Sequence, residues 1–164
     1  MIASMTDERA AHDFERLFRE DGPGVWRTLY AFTGGRRDIA EDATAEAFAR
    51  AIAHTSGIRD PVAWIYRTAF RIAAEELKRE RRSGSPEREE TTGAVPGAAD
   101  DLIRALRQLS PNQRAAIVLR YEADLPVAEV ANRMGVAAPT VRVHVHRGRK
   151  RLRELLGEEE VDDG

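Results

Sequence analysis

The sequence predicts an all-α protein: two small helical domains joined by a flexible linker, the C-terminal one containing a helix-turn-helix. Three features carry that prediction. Apolar residues recur every three or four positions through most of the 164 residues, as the buried stripe of a helix requires. No stretch alternates apolar with polar residues in the manner of a half-buried strand. Residues 83–99 (SGSPEREETTGAVPGAA) hold three glycines, two prolines and almost nothing large and apolar, so they cannot bury enough surface to fold alone. That stretch is the linker. It separates an N-terminal domain over 1–82 from a C-terminal domain over 100–164 that ends in an acidic tail, each small but able to hold a helical core.

In chain order, Phe14, Leu17 and Phe18, then Trp26, Leu29 and Tyr30, recur at helical spacing, and Ile39, Ala43, Ala47 and Ala51 trace a second stripe through an alanine-rich stretch. Val62, Tyr66, Ala69, Ala73 and Leu77 mark a third helix, starting at Pro61 with Asp60 as its N-cap and running to about Arg82. Beyond the linker, Leu102, Ala105, Leu106 and Leu109 mark a short helix. Ser110-Pro111-Asn112-Gln113 then has capping-box spacing with proline in the first turn, which starts a helix through Tyr121. Pro126 to Met134 forms the next, closed by Gly135 in a left-handed cap, and the last helix spans Pro139 to Leu156.

Composition narrows the function. Without cysteine there is no disulfide framework, thiol chemistry or cysteine-ligated zinc, and a reducing cytoplasm is the compartment to expect. The opening residues, with Asp7, Glu8 and Arg9 where a signal peptide needs an apolar run, predict a protein that is not exported, and the sequence holds no run of roughly 18 apolar residues of the kind that spans a membrane. The formal charge is only −2, yet its distribution is uneven: six Arg or Lys and no acid lie between Arg142 and Arg153, while Gly157 to Gly164 holds five acids and no base. The carboxylates Glu41, Asp42, Glu46, Glu75 and Glu76 are accompanied by no nucleophile, metal cluster or phosphate-binding loop, so no catalytic residue, metal or cofactor is assigned. His144 and His146, two apart on a helix, point about 200° apart and cannot chelate together.

The most specific local signal is Val127 to Val141. Val130, Ala131, Val136 and Val141 are placed to pack two helices crosswise about a turn at Gly135, the spacing of a helix-turn-helix, with a plain helical hairpin as the bland alternative. On the final helix Val141, Val145, Gly148 and Leu152 form the inward stripe. The opposite face presents Arg142, Val143, His146, Arg147 and Lys150, a set able to enter a major groove. The third helix carries Trp64, Arg67, Arg71, Glu75, Lys78 and Arg82 on one face, an aromatic joined to a basic stripe that suits stacked bases and a phosphate backbone; a buried Trp beside an ordinary charged surface competes with that reading. An acidic helical face around Asp42 and Glu46 suits a basic partner, and a merely solvated face competes equally.

Two separated motifs resemble the bacterial RNA polymerase sigma factors of the extracytoplasmic function (ECF) group of the sigma-70 family. One is Ala40 to Ala51 (AEDATAEAFARA) followed by Trp64-Ile65-Tyr66-Arg67. The other comprises Leu109-Ser110-Pro111, Arg114, Leu119-Arg120-Tyr121, Glu129-Val130-Ala131, Gly135-Val136, Thr140-Val141-Arg142, His146-Arg147 and Arg149 to Leu152. The resemblance implies a promoter-recognition subunit that is not itself an enzyme. Asp42, Glu46 and Phe48 would dock core RNA polymerase. Trp64, Arg67, Arg71, Lys78 and Arg82 would meet the nearer promoter element. Thr140, Arg142, Val143, His146, Arg147 and Lys150 would read the distal element. An anti-sigma protein is a further candidate partner. The linker's 17 residues span about 56 Å at ~3.3 Å each, more than the ~34 Å of one DNA turn between two contact sites. Ala45 stands where the family commonly has Gln, Arg71 and Glu75 where it has Asn and Asp, and Gly148 where it has Ala, the last costing the reading helix up to ~1 kcal/mol. Two alternatives stay open: a stand-alone helix-turn-helix transcription regulator, and a sigma mimic that titrates an anti-sigma protein.

Overall fold

The computed structural model describes residues 2–54, 57–84 and 98–157, all of whose regular elements are helical. They form α1 (Ile2–Phe32), α2 (Arg37–Ala53), α3 (Pro61–Arg82), α4 (Ala98–Arg107), α5 (Pro111–Ile117), α6 (Val127–Met134) and α7 (Ala138–Leu156), with a π-helical turn over Val118–Glu122. Most of the expected linker lies outside the described residues, and α4 begins two residues before the expected domain boundary. The acidic tail from Glu158 also lies outside them.

Local chemistry accounts for the element ends. Asp60 accepts a hydrogen bond from the Ala63 N–H at 3.1 Å and Pro61 opens α3, while Ser110 accepts from the Gln113 N–H at 3.3 Å and Pro111 opens α5. Helix α1 runs unbroken through Pro23, whose ring is exposed. The expected helix through Tyr121 instead widens: the Ala123 N–H donates to the Val118 carbonyl five residues back, and Asp124 follows at φ 52°.

Val25, Leu29, Phe32 and Ile65 are fully buried between α1, α2 and α3. The same cluster takes in Ala115, Leu119, Val130, Ala131 and Val141 from the C-terminal half, so the two halves share one core. A smaller cluster of Leu106, Leu109 and Ile117 receives Val145 and Leu152 of α7. Three residues expected inside are exposed, Phe18, Leu102 and Val136, and the helix crossing is filled by Val130, Ala131 and Val141 without Val136.

In the C-terminal half, two glycines are required by contact. Gly135 adopts φ +70° and closes α6, and a Cβ there would lie 2.7 Å from Cδ of Arg67. G135A should therefore lower unfolding free energy by at least about 1–2 kcal/mol from backbone strain; chemical denaturation would detect it, and an unchanged midpoint would mean the turn relaxes freely. At Gly148, in mid α7, a Cβ would lie 2.9 Å from Cγ1 of Ile117, so the glycine lets α7 approach α5.

Candidate functional site

Three surfaces carry the candidate residues. On α2 the core side is lined by Ile39, Ala40, Ala43, Ala47 and Ala51, which leaves Asp42 and Glu46 exposed together. Glu46 accepts from the Arg50 Nε–H at 2.8 Å, and Glu41 lies 3.9 Å from Arg37. Phe48, expected on the docking face, is instead buried. Its ring meets Phe18 edge-to-face at 4.9 Å, so it positions α2 against α1 and offers nothing to a partner. Half-exposed Phe18 lines an apolar groove with Gly22, Pro23, Trp26, Thr44 and Ala45, directly beside the acidic residues. Sequence reasoning placed Phe18 in the α1 core stripe and missed this; its position one residue after Leu17 was the available signal, since adjacent residues on a helix point about 100° apart.

On α3, Arg71, Lys78 and Arg82 are exposed, but the face is not uniform. Trp64 is half-buried against the core, which favours its structural role over a stacking platform. Arg67 is also half-buried: its Nε–H donates to the Ala63 carbonyl at 3.4 Å and its Cδ rests against Gly135. The basic end of α3 faces α4 across a cleft of about 1070 Å³ whose walls include Arg71, Lys78, Arg81, Arg82 and Arg107.

The helix-turn-helix is formed by α6 and α7, with Val130, Ala131 and Val141 buried at the crossing. All six candidate reading residues, Thr140, Arg142, Val143, His146, Arg147 and Lys150, are exposed, whereas Val141 and Gly148 are buried. The outward face is thus the one expected, cationic with one apolar side chain, Val143, suited to a thymine methyl.

A buried cation ties the ends of α2 and α3. Arg36, with only 6% of its side chain exposed, donates to Asp38 at 2.8 Å and to Glu80 at 2.5 Å. Those bonds hold the guanidinium firmly protonated and draw the Asp38 carboxyl below its ordinary value of 3.8. Asp60 is likewise held low, first by the Asn132 side-chain amide and then by the Ala63 N–H. Burial pushes the Tyr66 hydroxyl up. Both carboxylates have folded values below their unfolded ones, so their stabilisation is complete above about pH 4 and lost as pH falls through the folded values. The melting temperature should be steady from pH 7 to about 5 and drop below 4, with a shallower drop in D38N; an identical acid limb in D38N would remove Asp38 from this account.

Comparison with known proteins shows the family of the chain. The sigma-70 region 2 family model matches residues 17–83 and the sigma-70 region 4 model matches residues 99–152. The chain is 30% identical over 162 residues to the RNA polymerase sigma factor CarQ of Myxococcus xanthus, covering 91% of this chain and 92% of that protein. The chain belongs to the ECF RNA polymerase sigma factors. The ECF sigma factor SigL of Mycobacterium tuberculosis is 31% identical over 157 residues, covering 87% of this chain and 88% of SigL. SigE of Mycolicibacterium smegmatis is 29% identical over 165 residues; the match covers 92% of this sigma factor but only 64% of that longer protein. The fold is that of the sigma factor RpoE crystallised with the anti-sigma factor NepR from Bartonella quintana (TM-score 0.66, 23% identity, 90% of this chain and 99% of that one). CnrH, solved with the cytosolic domain of CnrY, also shares it (TM-score 0.64, 19% identity, 95% and 97%). Among the described residues no helix is long and apolar enough to cross a membrane.

Proposed function

We propose that this sigma factor, acting in the cytoplasm and without catalysis of its own, binds core RNA polymerase through the α2 face at Asp42 and Glu46. The apolar groove at Phe18 adds a dry contact beside these charges. The exposed cations of α3, Arg71, Lys78 and Arg82, meet the nearer promoter element, and α7 reads the distal element through Thr140, Arg142, Val143, His146, Arg147 and Lys150. Residues 83–99 let the two DNA-contacting domains separate on the promoter. The carrying observation is the α7 surface, where all six candidate readers are exposed on a helix fixed from behind by Val141. The anti-sigma factor NepR bound to RpoE makes an inhibitor of that kind a candidate partner here.

The test is transcription with purified sigma-free core polymerase and genomic fragments, followed by sequencing of the transcripts that begin only when this protein is added. Defined starts sharing an upstream motif are expected. Core binding without starts would replace the reading with that of a mimic, and absence of both would leave a stand-alone DNA-binding regulator.

A further inference from the structure

The basic end of α3 contains one residue of the wrong sign. Residues 78–82 read Lys-Arg-Glu-Arg-Arg, and the negative end of the helix dipole favours the cations there and disfavours Glu80. Glu80 is nevertheless held, because both its carboxylate oxygens accept from Arg36 across 44 residues of chain, Oε2 from Nη1 at 2.5 Å and Oε1 from Nη2 at 2.8 Å. The same guanidinium donates to Asp38 through Nε at 3.0 Å and Nη2 at 2.8 Å. The base of this clamp is fixed in turn. Arg36 stands at the N-cap of α2, its N–H donates to Oγ1 of Thr33 at 3.2 Å, and Thr33 is buried in the turn between α1 and α2.

Lys78 and Arg82 are each two residues from Glu80 and Arg71 is nine away, so at about 100° per residue all three lie about 160–180° round the helix from it. With Glu80 turned toward Arg36, these cations point away from the corner between α1 and α2, and all three are exposed. We propose that Arg36 is a positioning residue for promoter engagement: acting through Glu80, it sets the rotation of the last turns of α3 and keeps Arg71, Lys78 and Arg82 in one row toward the nearer element. This role rests on the promoter contact given to α3 under the proposed function. Two effects oppose such a row. Four cations within five residues repel one another, and the last turn of a helix leaves carbonyls without intrahelical partners and frays. A row set before DNA arrives avoids the cost of ordering those side chains during binding. The fork of an arginine suits the task, because bidentate pairs fix orientation as well as distance, which the point charge of a lysine does not.

Two conservative variants separate positioning from general support of the fold. E80Q keeps the length of the side chain and removes the charge that Arg36 grips, whereas D38N weakens the pairing on the α2 side and leaves the Arg36–Glu80 pair in place. Hydrogen exchange of the full chain should show the amides of residues 79–82 exchanging about tenfold faster in E80Q, with D38N unchanged there. Holoenzyme assembled with each protein is then titrated with promoter fragments from the mapped starts, one set carrying the nearer element alone and the other the distal element alone. E80Q should bind the nearer-element fragments about tenfold more weakly and the distal ones as the native protein does, and D38N should match the native protein on both. Unchanged exchange in E80Q would overturn the clamp. Native affinity of E80Q for the nearer element would overturn the positioning role, as would equal losses in D38N and E80Q or a loss at both elements. If the native holoenzyme does not bind the nearer-element fragments, the promoter contact of α3 falls and this role with it, while the exchange comparison still reports whether Arg36 holds the helix end.

Discussion

Reversing both charges on the α2 face, in D42K/E46K, should raise the dissociation constant for core polymerase by at least about 100-fold. The two side chains are exposed on a helix whose buried face, Ile39 to Ala51, the substitutions do not touch. The local cost is small, because E46K turns the ion pair with Arg50 into a like-charge i,i+4 pair worth about 0.2–0.5 kcal/mol. Against a basic partner surface, each reversal turns an attraction into a repulsion, and like charges juxtaposed across an interface cost several kcal/mol. Titration of labelled core polymerase would measure this, with thermal unfolding as the check that the fold survives. Affinity within threefold of the native protein would take the α2 face out of the polymerase contact and leave the Phe18 groove to carry it. F48A would discriminate poorly, because removing that buried ring should destabilise the protein by about 3–5 kcal/mol and weaken binding indirectly.

R142A and R147A should each reduce initiation at the cognate promoter by about 5- to 150-fold, the effect of losing a bidentate guanine contact worth about 1–3 kcal/mol. Core binding should be unchanged, since α7 lies in the other half of the molecule from Asp42 and Glu46. The comparison of promoters gives the test its force. A residue that reads a base relaxes the sequence requirement at one position, whereas one that contacts phosphate weakens all sites alike and lowers the salt slope by about 1. Uniform loss across promoters for both variants would assign the two arginines to the backbone and move base reading to Thr140, Val143 and His146.

What was legible in the sequence was local. Asp60, Ser110 and Gly135 announced helix ends through side-chain caps and a left-handed turn, and each does so in the structure. The outward face of α7 followed from 3.6-residue periodicity, because Val141, Val145 and Leu152 are the large apolar residues that share its inner side, with Val143 falling opposite. Phe48 was placed on the docking face by the resemblance alone, and the structure buries it. The stripe of Ile39, Ala43, Ala47 and Ala51 marks the core face of α2, and Phe48, next to Ala47, turns toward that face to meet Phe18 across the bundle. Arg114 and Phe32, or Arg107 and Gly34, meet across more than 70 residues of chain. No spacing rule connects such positions, and the arginines resembled surface cations like their neighbours.

Gly148 has a consequence for how sequences sharing this domain can diverge. The reading helix owes its seat to a missing methyl group, since a Cβ at 148 and the Ile117 side chain would compete for the same space. The two positions are therefore a volume exchange: an alanine at 148 is accommodated without displacing α7 only if residue 117 gives up comparable bulk. Substitutions at 117 and 148 should accordingly appear together through evolution, and a lone G148A would push the reading arginines outward as a block, changing the depth at which they enter the groove while leaving every one of them in place.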